Sequence, residues 1–218
     1  MKNILFLIIV SSLIILQFGC KDKSVEPINN DGKDTSTIVV YKPNLYIYPT
    51  EGLTLTIKIE FPNGGEILES VPEYDDAWHV FIKPDGKIND TYDYLFYEYR
   101  VPDLTQNIYG WLVSMDDLKQ FFENNLSLSG FSEKEIRDFT DYWIPLLKDY
   151  SYYEIYPQYK NTLEKMTIIN FSREPKNIFR LQYVIKGRDN EKISLQNPEI
   201  ETAKRERYFS VEWGVIIK

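Results

Sequence analysis

The sequence predicts an α+β domain: a mainly antiparallel sheet with a two-helix insertion packed on one face or end. Three observations carry this. Period-two alternation dominates the first part of the chain after about residue 38, two capped segments of helical period occupy the middle, and strand-like runs resume after Asp149. Strands, then helices, then strands again keep the element types in blocks, whereas a parallel α/β fold alternates them one by one.

The clearest strand is Leu53 to Phe61, where Leu53, Leu55, Ile57, Ile59 and Phe61 alternate with Thr54, Thr56, Lys58 and Glu60, so that one face is buried and the other wet. Leu45 to Tyr48 precedes it, and Trp78 to Lys83 and Tyr92 to Val101 follow. Pro62-Asn63-Gly64-Gly65 reads as a hairpin turn and Pro84-Asp85-Gly86 as a second turn, because proline presets φ and glycine accepts positive φ. Ser114 with Asp117 opens the first helix, whose Leu118, Phe121 and Phe122 share a face. Ser132 and Glu135 form a capping box for the second, Phe131 and Ile136 stand as a hydrophobic staple, and Ile136, Phe139, Trp143 and Leu147 make its apolar stripe. Pro145 disfavours helical geometry at Ile144 and stops or kinks that helix. The later strands are Tyr153 to Tyr156, Met166 to Phe171, Ile178 to Ile185 and Tyr208 to Ile217.

The N-terminal residues are of another kind. Ile4 to Leu16 is apolar, Lys2 is basic, and the run is too short for a spanning helix, which needs about 20 residues. It ends at Leu16-Gln17-Phe18-Gly19-Cys20, which resembles the lipobox of bacterial lipoproteins; Gln17 departs from the aliphatic or small residue usual there. The resemblance implies cleavage before Cys20 and fatty acylation, palmitate among the acyl groups, of what is the sole cysteine in the chain. Each buried CH₂ contributes about 0.8 kcal/mol, so two or three chains anchor what one cannot. The expected organisation is a signal peptide over 1–19, a lipidated cysteine and polar tether over 20–37, and one domain over 38–218. Lys21 stands where some Gram-negative lipoproteins carry an Asp for inner-membrane retention, which favours the outer membrane.

The domain also resembles a family of uncharacterised bacterial proteins through a set of phrases: Lys42-Pro43-Asn44-Leu45-Tyr46-Ile47-Tyr48-Pro49, Tyr74 with Trp78 leading to Lys83-Pro84-Asp85-Gly86, Tyr94-Leu95-Phe96-Tyr97-Glu98, Tyr142-Trp143-Ile144-Pro145 and Glu212-Trp213-Gly214. The family usually has Trp at the position of Tyr97 and a second Gly at that of Val215. What the likeness implies is one integral domain; no activity comes with it.

Composition narrows the function classes. The net charge of −8 disfavours nucleic acid, since phosphate binding needs clustered bases; the one dense basic stretch, Lys204 to Arg207, is interrupted by Glu206 and reads as a solvated loop. With one histidine, His79, and no cysteine in the domain, His/Cys zinc clusters and Ser-His-Asp machinery lack members; no cofactor is expected. His79 alternates out of phase with Trp78 and Val80 and reads as a surface residue.

Glu98 and Glu212 each interrupt an aromatic, apolar strand, where an ionised carboxylate is costly unless paired. Facing one cleft they would serve as acid and base on a glycosidic bond; otherwise each is solvated or paired with an arginine such as Arg100 or Arg180. Trp78, Tyr97 and Trp213 are candidate ligand-binding rings, the chain being rich in tyrosine, most densely from Tyr142 to Tyr159. The expected role is a binding or accessory domain at the cell envelope, held by its lipid and recognising a glycan or an envelope protein; the alternatives are a hydrolase using Glu98 and Glu212 and a purely structural envelope protein.

Overall fold

A computed structural model describes residues 37–218. The signal segment, Cys20 and all but the last residue of the tether lie outside them. The described residues belong to one compact unit in three layers: a seven-stranded sheet, a three-stranded sheet on one of its faces, and a helix pair on the other. The fold is α+β with a sheet dominated by antiparallel pairs.

The strands are β1 (Thr37–Tyr48), β2 (Leu53–Glu60), β3 (Glu66–Val71), β4 (Trp78–Ile82), β5 (Leu95–Pro102), β6 (Trp111–Ser114), β7 (Tyr152–Tyr159), β8 (Ile168–Phe171), β9 (Asn177–Arg188) and β10 (Phe209–Ile217). The large sheet runs β3-β5-β1-β10-β9-β7-β6 and the small one β4-β2-β8. Between β6 and β7 stand a 3₁₀ turn, Met115–Asp117, and helices α1 (Leu118–Leu128) and α2 (Glu133–Trp143); a single turn, α3 (Lys160–Leu163), precedes β8.

Leu55 and Ile57 of β2, Trp78, Val80 and Ile82 of β4 and Leu95, Tyr97, Tyr99 and Val101 of β5 form the core between the sheets. Leu118, Phe122, Leu126, Phe139 and Trp143 of the helices pack on Tyr46, Tyr183, Trp213 and Val215 of the opposite face. His79 points outward, its Nδ1 3.1 Å from the Thr56 hydroxyl. Ser114 accepts from the Asp117 N–H at 3.3 Å and so caps the 3₁₀ turn that leads into α1, and the Ser132 capping box is complete. α2 stops at Trp143, although Ile144 keeps helical angles of φ −59° and ψ −42° despite Pro145.

The turn at Pro62 to Gly65 is not a hairpin. β2 lies in the small sheet, whereas β3 pairs with β5 at the edge of the large one, so the turn carries the chain between sheets. Gly64 has φ +82°, and a Cβ on Gly65 would lie 2.7 Å from the Arg100 carbonyl oxygen; only glycine lets the backbone pass so close to β5.

One pair, β9 with β10, is parallel. Parallel neighbours need a crossover of a dozen or more residues, and residues 189–208 provide it as a strap without a helix. The Ala203 N–H donates to the Ser129 carbonyl at 2.9 Å. Arg205 donates to both oxygens of the buried Glu135 at 2.9 and 3.1 Å and lies over the Tyr48 and Phe209 rings. Arg205 is therefore not part of a solvated basic loop, as its neighbourhood in sequence implies, because the fully buried Glu135 carboxylate needs a partner.

Candidate functional site

Glu98 and Glu212 do not share a cleft. In the large sheet Glu212 lies opposite Leu45, which lies opposite Leu95, and all three face the small sheet; Asn44 lies opposite both Phe96 and Trp213, and these face the helices. Glu98, two residues from Phe96, is thus on the helix side and Glu212 on the other. The hydrolase arrangement fails on strand parity.

Glu212 is an interior ion-pair member. Arg180 Nε donates to its Oε2 at 2.5 Å, and the Tyr97 hydroxyl donates to Oε1. The same guanidinium donates to the Thr167 carbonyl at 2.7 Å and to its hydroxyl at 2.8 Å. Neither charged side chain is more than 2% exposed, so no substrate reaches them. Burial alone would lower the Arg180 pKa, but Glu212 and the phenols of Tyr97 and Tyr99 reverse the sign and hold it charged. Burial, then the Glu212 charge, pushes the Tyr97 phenol well above its ordinary range.

The ring candidates are core residues. Trp78 donates to the Pro72 carbonyl at 2.8 Å and packs edge-on to Tyr97, with centroids 5.7 Å apart. Trp213 is wholly buried on the other face, 5.2 Å from Phe139. They offer no surface to a ligand, because each fills one of the two cores.

Glu98 instead lines an open recess of about 500 Å³ on the helix side of the β3–β5 edge, together with Lys42, Glu69, Phe96, Tyr94 and Tyr142. At the floor of this edge β1 carries one extra residue between Tyr41 and Asn44 relative to both neighbours. At this bulge Lys42 takes φ +49°, immediately before Pro43, where extended geometry is the norm. Such backbone costs about 1–3 kcal/mol and gathers at functional sites.

Lys42 uses that geometry twice. Its backbone N–H donates to Glu98 Oε1 at 3.2 Å, and its ammonium lies 4.6 Å from the Phe96 ring centroid, 4.7 Å from Tyr142 and 5.9 Å from Tyr94. Glu69 of β3 lies directly across from Glu98, a like-charge pairing that destabilises a sheet. Burial raises the Glu98 pKa above its ordinary value; the hydrogen bond from the Lys42 N–H opposes it, the Glu69 charge adds to it, and the Lys42 charge works against both. Burial lowers the Lys42 pKa, opposed by Glu98, Glu69 and Asp138.

Lys42, Glu69 and Tyr142 are the residues that sequence reasoning misses as site members. For Lys42 the signal was a charged residue and a proline inside an otherwise apolar run, Val39 to Tyr48, which marks a bulge; Glu69 and Tyr142 had none. Three separate segments of the chain meet here, bringing Lys42, then Tyr94 with Phe96 and Glu98, then Tyr142. A second recess, of about 520 Å³, lies along β3 by Phe61, Glu73 and Tyr74 and has no basic residue in its lining. No family model, curated protein or solved structure matches the chain.

Three variants separate the carboxylates. Arg180→Leu is expected to cost about 3–5 kcal/mol in urea unfolding by orphaning the buried Glu212 charge, and Glu212→Gln added to it to restore part of the loss; strictly additive costs would contradict the buried-pair assignment. Glu98→Gln is expected to stabilise by about 0.5–1 kcal/mol above neutral pH, through relief of the Glu69 pairing. A carboxyl with a raised folded pKa loses stability as pH rises from its ordinary value through the raised one. The advantage of Glu98→Gln should therefore vanish in acid, as thermal melts across pH would record.

Proposed function

We propose that the chain is a lipid-anchored extracytoplasmic protein whose domain binds saccharide in the Lys42–Glu98–Tyr142 recess. The observation that carries the reading is the recess itself. Its walls include the 41% exposed Tyr142 ring, a charged amine and carboxylates that accept from hydroxyl groups. Sugars present one apolar C–H face and a rim of hydroxyls, so rings beside fixed hydrogen-bonding groups suit them. The volume falls within the range of small-ligand pockets, roughly 300–1,000 Å³.

Strain at Lys42 and the cross-strand carboxylate pair gather in one place, and a binding site accounts for their persistence. A purely structural envelope role calls for no such recess. The anchoring half of the proposal rests on the leader and the Leu16-Gln17-Phe18-Gly19-Cys20 pattern.

Mass spectrometry of protein from native membranes should find a diacylated or triacylated N-terminal cysteine at position 20, and Cys20→Ser should release the chain from the membrane fraction; an intact Met1 would overturn the anchor. On a glycan array the protein should retain a defined set of envelope saccharides, and Tyr142→Ala should weaken that retention about tenfold, the range of one lost stacking contact. Retention unchanged by Tyr142→Ala would remove the recess from consideration.

A further inference from the structure

Charge in the recess does not balance. Asp93 is matched by Lys87 at 3.0 Å and Lys134 at 3.4 Å. Among the described residues, by contrast, neither Glu69 nor Glu98 forms an ion pair, and the only basic side chain lining the recess is Lys42. That ammonium is drawn to the rings of Phe96 and Tyr142, which leaves the two facing carboxylates with one positive charge between them. Cross-strand residues stand with Cβ atoms about 4.5–5.5 Å apart, a spacing at which one cation reaches both carboxyls.

The rings bear on which charge the recess takes. Three aromatic faces already hold an alkylammonium, the one belonging to Lys42, and an aromatic face attracts cations through its quadrupole. The recess therefore has the walls of an ammonium site and room beyond the occupant it has.

Resting on the saccharide reading above, we propose that the ligand is an amino sugar with a free amino group, its ammonium set between Glu69 and Glu98 and its ring face laid on Tyr142. A free amine carries the missing charge and donates up to three hydrogen bonds, which two carboxylates accept; an N-acetylated amine has neither the charge nor the donors. Lys42 then sets the geometry from below, its backbone N–H fixing Glu98 while its side chain fills the inner part of the ring cage.

The test is calorimetric titration of the full-length protein in detergent with two β-1,4-linked tetramers, one of glucosamine and one of N-acetylglucosamine, below neutral pH where the free amine is protonated. The glucosamine tetramer should bind about tenfold tighter or more, and Glu69→Gln should collapse the ratio between the two ligands. Equal affinities would overturn the amino-sugar assignment and leave the saccharide reading standing. Failure of both tetramers, when a glycan array shows other sugars retained through Tyr142, would also overturn it; failure of every saccharide would remove the reading beneath it as well. A third arm uses 1,4-diaminobutane: affinity equal to that of the glucosamine tetramer would overturn the sugar component, because an ammonium alone would then account for the binding.

Discussion

One extra residue in β1 sets the layout of this domain. β1 lies between β5 and β10, and its apolar side chains divide between the two cores, Val40, Leu45 and Ile47 facing the small sheet and Tyr41, Tyr46 and Tyr48 the helices. Before the bulge, Val40 faces the small sheet; after it, Leu45 and Ile47 do, and parity has changed. Without that change Asn44 and Tyr46 would enter the inter-sheet core while Leu45 and Ile47 turned to the helices, since a one-residue slip moves a whole set of side chains to the opposite face. The bulge also holds Lys42, which lines the recess, so the parity change and the candidate site share one stretch of β1.

The second organising interaction, between Glu212 and Arg180, lies across the parallel β9–β10 pair. Hydrophobic residues of the same volume often serve stability as well as a buried ion pair does, so the pair is better understood through its geometry. Arg180 ties β10 to Thr167, just ahead of β8, and Glu212 takes the Tyr97 hydroxyl from β5. Those contacts join the large sheet to the small one with directional bonds, which apolar packing alone does not provide. They bind one register of the two sheets specifically.

Local pattern made much of the fold legible. β2 was readable because all its buried residues fall on one face, and α2 because its cap and stripe are both local signals. β3, β6 and the β2–β3 sheet switch were harder. β3 is an edge strand with little buried surface and no clean alternation, and β6 has only four residues. Whether a Gly-Gly turn joins paired strands or passes the chain to another sheet depends on what lies beside it, here the Arg100 backbone. For the site, Glu98 was legible as an anomaly, but its partner was not. Glu212 matched it in sequence character, whereas the structure sets Glu69 across from it, and cross-strand neighbours 29 positions apart in the chain leave no local trace.

The recess and the ion pair show two outcomes for a carboxylate in an apolar strand. Glu212 is saturated: an arginine and a phenol bond to it, and solvent is excluded. Glu98 receives one backbone N–H at 3.2 Å, faces another carboxylate and opens on a cavity. A saturated buried charge specifies structure. An unsaturated one, held in place by a left-handed lysine that itself strains the backbone, keeps interaction capacity that folding leaves unused, and capacity of that kind is what a binding site requires. The contrast between two glutamates in strands of one sheet therefore marks the recess as the candidate site more firmly than the character of either residue alone.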